Sequence, residues 1–213
     1  MMMRSLLVLT CLWSVVCVTT KIEYEPITSV AWRSPPESEL RSASGTATNL
    51  GKFKVTYYWI EDEIDYHGQK EVPLYLENGS LLGYFPRQFV SAFKKEAVAR
   101  LKDGKLISYL KRKGTVRIVT EPLGYQGYTL TTLKSVAVDT HLIPLGSKLY
   151  VPQFERLYMG SNGVHNGIFH ANDIGSDIQG NHIDIFIGEK ENLKYMMSKS
   201  GRSSGQVDVY LLK

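Results

Sequence analysis

From residue 181 to 188 the chain reads Asn-His-Ile-Asp-Ile-Phe-Ile-Gly, with Ile183, Ile185 and Ile187 at every second position. A period of two is that of a β-strand, so the isoleucines line one face while His182, Asp184 and Phe186 line the other. The apolar face fills a core, and Asp184 is turned away from it. Residues 53–60 are also β-branched and aromatic, and further strand candidates are 72–76, 116–120, 135–138, 148–151, 167–171 and 206–212. Most are short and separated by Gly, Pro or Asn turns. Such a run predicts a small β-barrel, and 213 residues suffice for one globular unit.

Helical signals interrupt this pattern. Phe89, Phe93, Ala97 and Leu101 recur at four-residue steps, with Lys94, Lys95 and Arg100 mostly off that stripe. They predict a helix over 87–101 inside a helical insertion spanning about 86–113. A second helix is expected over 189–198, with Glu189 and Glu191 at its positive end and Gly201 beyond its C-terminus.

Residues 1–20 read as a signal peptide, since Arg4 precedes an apolar run over 6–18 and no acidic residue interrupts it. The run is shorter than the roughly 20 residues of a membrane span, so no stable span is expected. Both cysteines, Cys11 and Cys17, fall inside this segment. Cleavage near 17–20 would leave a mature chain without an internal disulfide, in the periplasm or outside the cell. Thr10 and Val16 precede the cysteines where a lipid anchor favours a small apolar residue, so anchoring is not expected. Residues 21–50, with Ser34-Pro-Pro36 and a Ser/Ala/Gly/Thr-rich tract over 42–48, read as an extended, mobile leader to a fold covering 51–213.

The net charge is +4, or +3 with Arg4 set aside, which argues against a nucleic-acid partner. The basic residues Lys94, Lys95, Arg100, Lys102, Lys105, Lys111, Arg112 and Lys113 read instead as a solvated helix face and its loop.

Asp173 closes the run 168–172 just before Ile174-Gly175, where a strand leaves the sheet and presents a side chain at a rim. It is placed to meet Asp184 across a cleft, with Gly175 and Gly180 letting the backbone between them turn tightly. Carboxylates gathered in a partly apolar pocket raise one another's proton affinity, and a carboxyl protonated near neutrality is the acid that glycosidic cleavage needs. The competing reading is that Asp173 and Asp184 simply accept backbone N–H bonds in tight turns. For Asp177 that turn reading leads.

His165, His170 and His182 lie among these aspartates, but none is paired at the short spacing of a metal motif, so no metal is expected and the histidines read as surface or rim residues. No Ser lies in a G-x-S-x-G elbow, Ser161 and Ser176 read as turn residues, and no phosphate loop is present. No cofactor is expected. Tyr57, Tyr58, Trp59, Tyr125 and Tyr128 offer flat rings either to a sugar groove or to the core. Tyr57 and Trp59 share the face of Val55 and read as core. Thr56 and Tyr58 take the other face and are expected, with Gly175, Asp177 and His182, to line a substrate groove.

Ser135-Val-Ala-Val-Asp139 with Ile143-Pro-Leu-Gly-Ser-Lys-Leu-Tyr-Val-Pro152, then Ala171-Asn-Asp173-Ile-Gly175 and Gln179-Gly-Asn-His-Ile-Asp184-Ile-Phe186, resembles a known family. It is the 3D (three-aspartate) domain shared with the C-terminal part of the membrane-bound lytic transglycosylase A family. The resemblance covers residues 134–188 and extends more weakly to 213. Residues 53–58 resemble the first strand of such domains, and 99–109 are similar to a segment of some bacterial members.

The resemblance implies a mainly β fold, a six-stranded double-psi β-barrel with a few peripheral helices. It also implies that Asp173 is the catalytic acid and base of a peptidoglycan lytic transglycosylase. Asp173 would cleave the β-1,4 bond between N-acetylmuramic acid and N-acetylglucosamine and leave a 1,6-anhydro product, with Asp139 and Asp184 as the other catalytic aspartates. Asp177 stands where the family has a small residue. The large second domain that walls the family's substrate groove is not evident, so a protein partner completing the groove enters the expectation. The alternatives are an inverting glycoside hydrolase on the same barrel and a non-catalytic glycan-binding module of the cell envelope.

Overall fold

The computed structural model describes residues 47–159, 163–193, 196 and 205–213. The expectations for the signal peptide and for the leader up to residue 46 lie outside the described residues, as does much of the helix expected over 189–198. In chain order the elements are β1 (Ala47–Tyr58), β2 (Glu61–Asp62), β3 (Lys70–Tyr75), β4 (Leu81–Pro86), the helix α1 (Arg87–Glu96), β5 (Val98–Arg100), β6 (Leu106–Leu110), β7 (Thr115–Val119), β8 (Ser135–Val138), β9 (Lys148–Tyr158), β10 (Val164–Asp173), β11 (His182–Phe186) and β12 (Gln206–Leu212). Single 3-10 turns lie at Glu63–Asp65 and Tyr125–Gly127.

Six of these strands close into a barrel in the order β1-β11-β8-β10-β9-β12. β1 runs parallel to β11, and β10 runs parallel to β8. The alternation read from the sequence sets the inside: Phe53, Val136, Val138, Leu149, Phe169, Ile183, Ile185, Val207 and Val209 are buried together, with Val55, Tyr57 and Trp59 packed against them. Each such buried side chain contributes about 1.5–3 kcal/mol, which makes this interior the largest source of stability in the fold.

Strand β1 begins earlier than the composition indicated. Ala47, Thr48 and Asn49 pair with Leu212, Leu211 and Tyr210 of β12, so the last residues assigned to a mobile leader belong to the barrel. Ala47 and Asn49 carry little strand propensity, and pairing with β12 supplies the ladder instead.

The segment between β1 and β8 departs further from expectation, because helix α1 ends at Glu96 and residues 98–110 form two strands joined by a turn rather than helix. Ala97 takes a left-handed conformation with φ 63, its N–H bonded to the Phe93 carbonyl, and this stops the helix. Val98, Ala99 and Arg100 then pair with Ser108, Ile107 and Leu106. The stripe of Phe89, Phe93 and Leu101 reaches one core as expected, but Leu101 arrives there from beyond a strand. The insertion is therefore mostly β, comprising the sheet β2-β5-β6-β7, the hairpin β3-β4 and α1 around a second core.

This insertion packs on the outside of the barrel. Tyr58, Ala137 and Phe186 from barrel strands meet Val98, Leu130 and Ile178 in a third apolar cluster. Arg100 of β5 also clasps Asp62 at 3.1 Å and Glu189, just past β11, at 2.6 Å. Among the described residues no helix is long and apolar enough to cross a membrane.

Candidate functional site

Four neighbouring strands, β10, β8, β11 and β1, carry Asp173, Ala137, Asp184 and Thr56 as successive cross-strand partners on the outer face. Asp173 and Asp184 are thus two strand spacings apart, about 9–10 Å between backbones. Asp184 owes its place to simple alternation. Asp173 does not, because Phe169 and Ala171 point inward and strict alternation would send residue 173 inward as well.

A bulge corrects the direction. Ala171 pairs with Val136, and the next partner, Ala137, is met by Asp173, so Asn172 is the extra residue. Bulges of this kind re-aim a side chain at the cost of one ladder position. Asn172 is held by its own amide, which donates to the Thr129 carbonyl at 3.0 Å and to the Ser135 hydroxyl at 3.2 Å.

Asp173 Oδ1 accepts the backbone N–H groups of Tyr125 and Ile174, each at 2.9 Å, and Oδ2 accepts the Tyr58 hydroxyl at 3.0 Å. The bond from Ile174 is the turn interaction weighed as an alternative; those from Tyr58 and Tyr125 come from other elements. Burial pushes the Asp173 carboxyl up to about 6, against the pull of these three donors and helped by the charge of Asp184. Burial, then the charge of Asp173, drives the Tyr58 phenol well above its ordinary range, so it remains a donor.

Tyr58 was expected to line an open groove. Its ring is instead buried against Phe186, with centroids 5.2 Å apart, and only its hydroxyl serves the site. Asp184 Oδ1 accepts the Thr56 hydroxyl at 2.6 Å, and the same Thr56 oxygen stands 2.8 Å from His182 Nε2. With the Thr56 proton directed at Asp184, His182 Nε2–H donates to Thr56, giving a chain from His182 through Thr56 to Asp184. Burial raises the Asp184 carboxyl, while the Thr56 bond and the nearby His182, Lys95 and Lys54 oppose the rise.

Asp139 stands apart from this row. Its Oδ2 accepts Gly180 N–H at 2.8 Å, its Oδ1 accepts His141 N–H at 2.9 Å, and these bonds hold its carboxyl at about 2. It ties the end of β8 to the loop between β10 and β11. In that loop Gly180 adopts φ +63, and a Cβ at Gly175 would lie 2.4 Å from Ile178 Cγ1. Asp177 lies exposed in the turn after Gly175.

The histidines divide. His165, read as a rim residue, is a core residue: Nε2 donates to the Leu133 carbonyl at 2.6 Å and Nδ1 accepts Gly167 N–H at 2.8 Å. Burial pushes its pKa down, which keeps it neutral. Among the described residues no group of three or more His, Cys, Asp or Glu side chains is arranged to hold a metal ion.

The sequence reading named Tyr125 and Tyr128 but not the position of their loop: residues 121–131 lie beside the site, with both rings exposed, and a Cβ on Gly124 would sit 2.4 Å from the Asn172 carbonyl oxygen. Glu96, the last residue of α1, escaped the sequence reading; it is 8% exposed, and burial pushes its carboxyl up to about 7. The signal for it was an acidic residue in the last helical turn, where a cation is favoured.

Residues 134–213 match the family model of the 3D domain. The match includes Asp139, Asp173 and Asp184 and five barrel strands, while β1, which closes the barrel, lies before it. Among curated proteins the chain is 30% identical over 118 residues to "Putative cell wall shaping protein YabE" of Bacillus subtilis, covering 48% of this chain and 26% of that protein. It therefore spans about a quarter of that relative's length. Solved structures similar to it include Escherichia coli MltA with bound chitohexaose, at TM-score 0.53 and 15% identity, covering 76% of this chain and 72% of that one. A membrane-bound lytic murein transglycosylase from Agrobacterium tumefaciens gives TM-score 0.53 at 14% identity, covering 78% and 75%. At these identities the likeness to the solved structures is one of fold.

Proposed function

We propose that the protein is an exported, peptidoglycan-active lytic transglycosylase in which Asp173 is both acid and base. The observation that carries this reading is one half-buried carboxyl pushed up to about 6, on the outer barrel face, with donors on both of its oxygens. Such a group is protonated in a useful fraction near neutrality and stabilised once it gives the proton away. The fold shared with a transglycosylase crystallised with chitohexaose and the cell-wall name of the curated relative support the substrate class.

In the proposed reaction Asp173 donates its proton to the oxygen between N-acetylmuramic acid and N-acetylglucosamine, and the C1–O bond breaks. The Tyr58 hydroxyl and Tyr125 N–H stabilise the carboxylate that results. Asp184, in its ionised form, faces the positive charge developing at C1. Asp173 then removes the proton of the C6 hydroxyl on the same sugar, O6 bonds to C1, and a 1,6-anhydro ring closes with no water consumed. Thr56 and His182 hold Asp184, and Asp139 positions the loop through Gly180. Gly175 and Asp177 form the rim of the groove, and the exposed rings of Tyr125 and Tyr128 offer faces to sugars. No cofactor takes part.

The pairing of Asp173 and Asp184 across one intervening strand supports a second reading, an inverting hydrolase, in which an acid and a base carboxyl flank a water. Incubation with purified peptidoglycan and mass spectrometry of the soluble products separates the readings. Anhydro products, one water lighter than hydrolysed sugars and lost in Asp173→Asn, are expected. Reducing-end products would indicate the hydrolase, and glycan binding without products a binding module.

A further inference from the structure

The loop 121–131 is closed on itself where it passes the site. Gly124 N–H donates to the Tyr128 carbonyl at 2.7 Å, Leu130 N–H donates to the Pro122 carbonyl at 2.9 Å, and Leu123 bridges Thr129 across the same narrow hairpin. A loop tied in this way moves as one piece, so whatever fixes its limbs also fixes Tyr125 in the turn at its tip. Leu130 seats the loop against Ala137, Ile178 and Phe186. That contact is non-directional, and the register of the loop needs hydrogen bonds.

Asn172 and Ser135 supply them. The Asn172 amide donates to the Thr129 carbonyl at 3.0 Å, on the returning limb, and to the Ser135 hydroxyl at 3.2 Å. The Asn172 carbonyl oxygen lies under the outgoing limb, where a Cβ on Gly124 would meet it at 2.4 Å. The buried Ser135 hydroxyl also accepts Thr131 N–H at 2.9 Å. One bulge residue and one strand serine therefore hold both limbs. The next residue along each segment makes the contact that matters: Asp173 follows Asn172, Tyr125 follows Gly124, and Tyr125 N–H meets Asp173 Oδ1 at 2.9 Å. A side chain serving only the bulge would need no partner in the loop.

We propose that Asn172, with Ser135, is a positioning residue of the Asp173 site, a clamp that holds loop 121–131 where Tyr125 N–H reaches the Asp173 carboxylate and the exposed rings of Tyr125 and Tyr128 stand beside it. Asn172 thus acts twice: its place as the extra residue of the bulge turns Asp173 outward, and its amide brings a donor to meet it. The catalytic weight of the clamp rests on the role proposed for Asp173; the placing of Tyr125 does not.

Amide hydrogen exchange and carboxyl carbon titration of the intact protein, Asn172→Ala and Ser135→Ala test it. The backbone of Asn172 is not left-handed, so alanine fits the bulge. Exchange at Tyr125 is expected to accelerate about tenfold in Asn172→Ala, and by less in Ser135→Ala, which leaves the bond to Thr129 in place. The β10 amides of His170 and Ala171, bonded to the Lys134 and Ser147 carbonyls, should stay protected. With the Tyr125 donor loosened, Asp173 should titrate at a higher midpoint than in the parent, while Tyr58 and Asp184, which also face it, are unchanged. A purely structural role would not move that midpoint. Equal acceleration across β10 and the loop, or a Tyr125 amide or Asp173 midpoint unmoved in both variants, would overturn the proposal. If Asn172→Ala fails to fold, Ser135→Ala carries the test from outside the bulge. Selective loosening of Tyr125 in a protein that releases no product from peptidoglycan would sink the transglycosylase reading and leave the clamp standing; turnover with Tyr125 unmoved in the variants would do the reverse.

Discussion

Asp173 and Asp184 are neighbours of the same residue, Ala137, one from each side across adjacent strands. A methyl group between two carboxyl-bearing strands leaves a trough where a bulkier residue would fill the gap. Ala137 is buried beneath the insertion's apolar contact, so the trough is backed by a dry surface. That burial raises both carboxyls.

Asp173 and Asp139 should respond to pH in opposite ways. Asp173, raised from 3.8 to about 6, binds its proton more tightly in the folded chain than in the unfolded one. Its contribution is full below about pH 4 and is lost as pH rises through about 6. Asp173→Asn is therefore expected to be more stable than the parent by about 2 kcal/mol at pH 8, with the gain vanishing near pH 4. Asp139, held at about 2, contributes above about pH 4 and loses that contribution as pH falls through about 2. Asp139→Asn should be destabilised at pH 7 and close to the parent near pH 2, as read by denaturant unfolding across the pH series.

Tyr58→Phe removes a donor that favours the ionised form of Asp173. The Asp173 midpoint should rise above its parent value, by up to about one unit for a bond worth about 1 kcal/mol. A titration of the Asp173 carboxyl carbon checks the sign, and a fall would contradict the assigned bond.

Gly124→Ala would press a Cβ onto the Asn172 carbonyl oxygen at 2.4 Å and onto Leu130 at 2.8 Å. The loop 121–131 must move, taking the Tyr125 N–H away from Asp173. The barrel should remain folded while glycan cleavage falls by tenfold or more, about 1.4 kcal/mol of lost stabilisation. Hydrogen exchange at the Tyr125 amide should accelerate in parallel.

Ala97 carries a strained left-handed backbone, with φ 63, to end α1. Ala97→Gly should stabilise the protein by about 1 kcal/mol, raising Tm by about 2–4 °C. A fall in Tm would mean that the Ala97 methyl contributes packing that outweighs the strain.

Much of the barrel and half of the site could be read from residue types. The alternation of Ile183, Ile185 and Ile187 against His182, Asp184 and Phe186 set both faces of β11, and the same parity put Val55 and Tyr57 inside and Thr56 and Tyr58 outside. β12 occupies the expected residues 206–212. The insertion was misread because a four-residue apolar stripe looks helical whether or not a left-handed residue interrupts it. Asp139 was grouped with the other aspartates by its motif, while its bonds to Gly180 and His141 make it the anchor of a loop.

What the sequence by itself determined is periodic and local: which strands exist, which face of each is apolar, and that Asp184 points outward. Tertiary structure decided what depends on pairing between distant segments. The bulge at Asn172 turns Asp173 outward only because β8 lies alongside to set the register, and alternation alone would have buried it in the core. Side-chain direction along a strand follows from chain geometry, but which carboxylates share one dry surface follows from how the barrel closes and where the insertion lands on it.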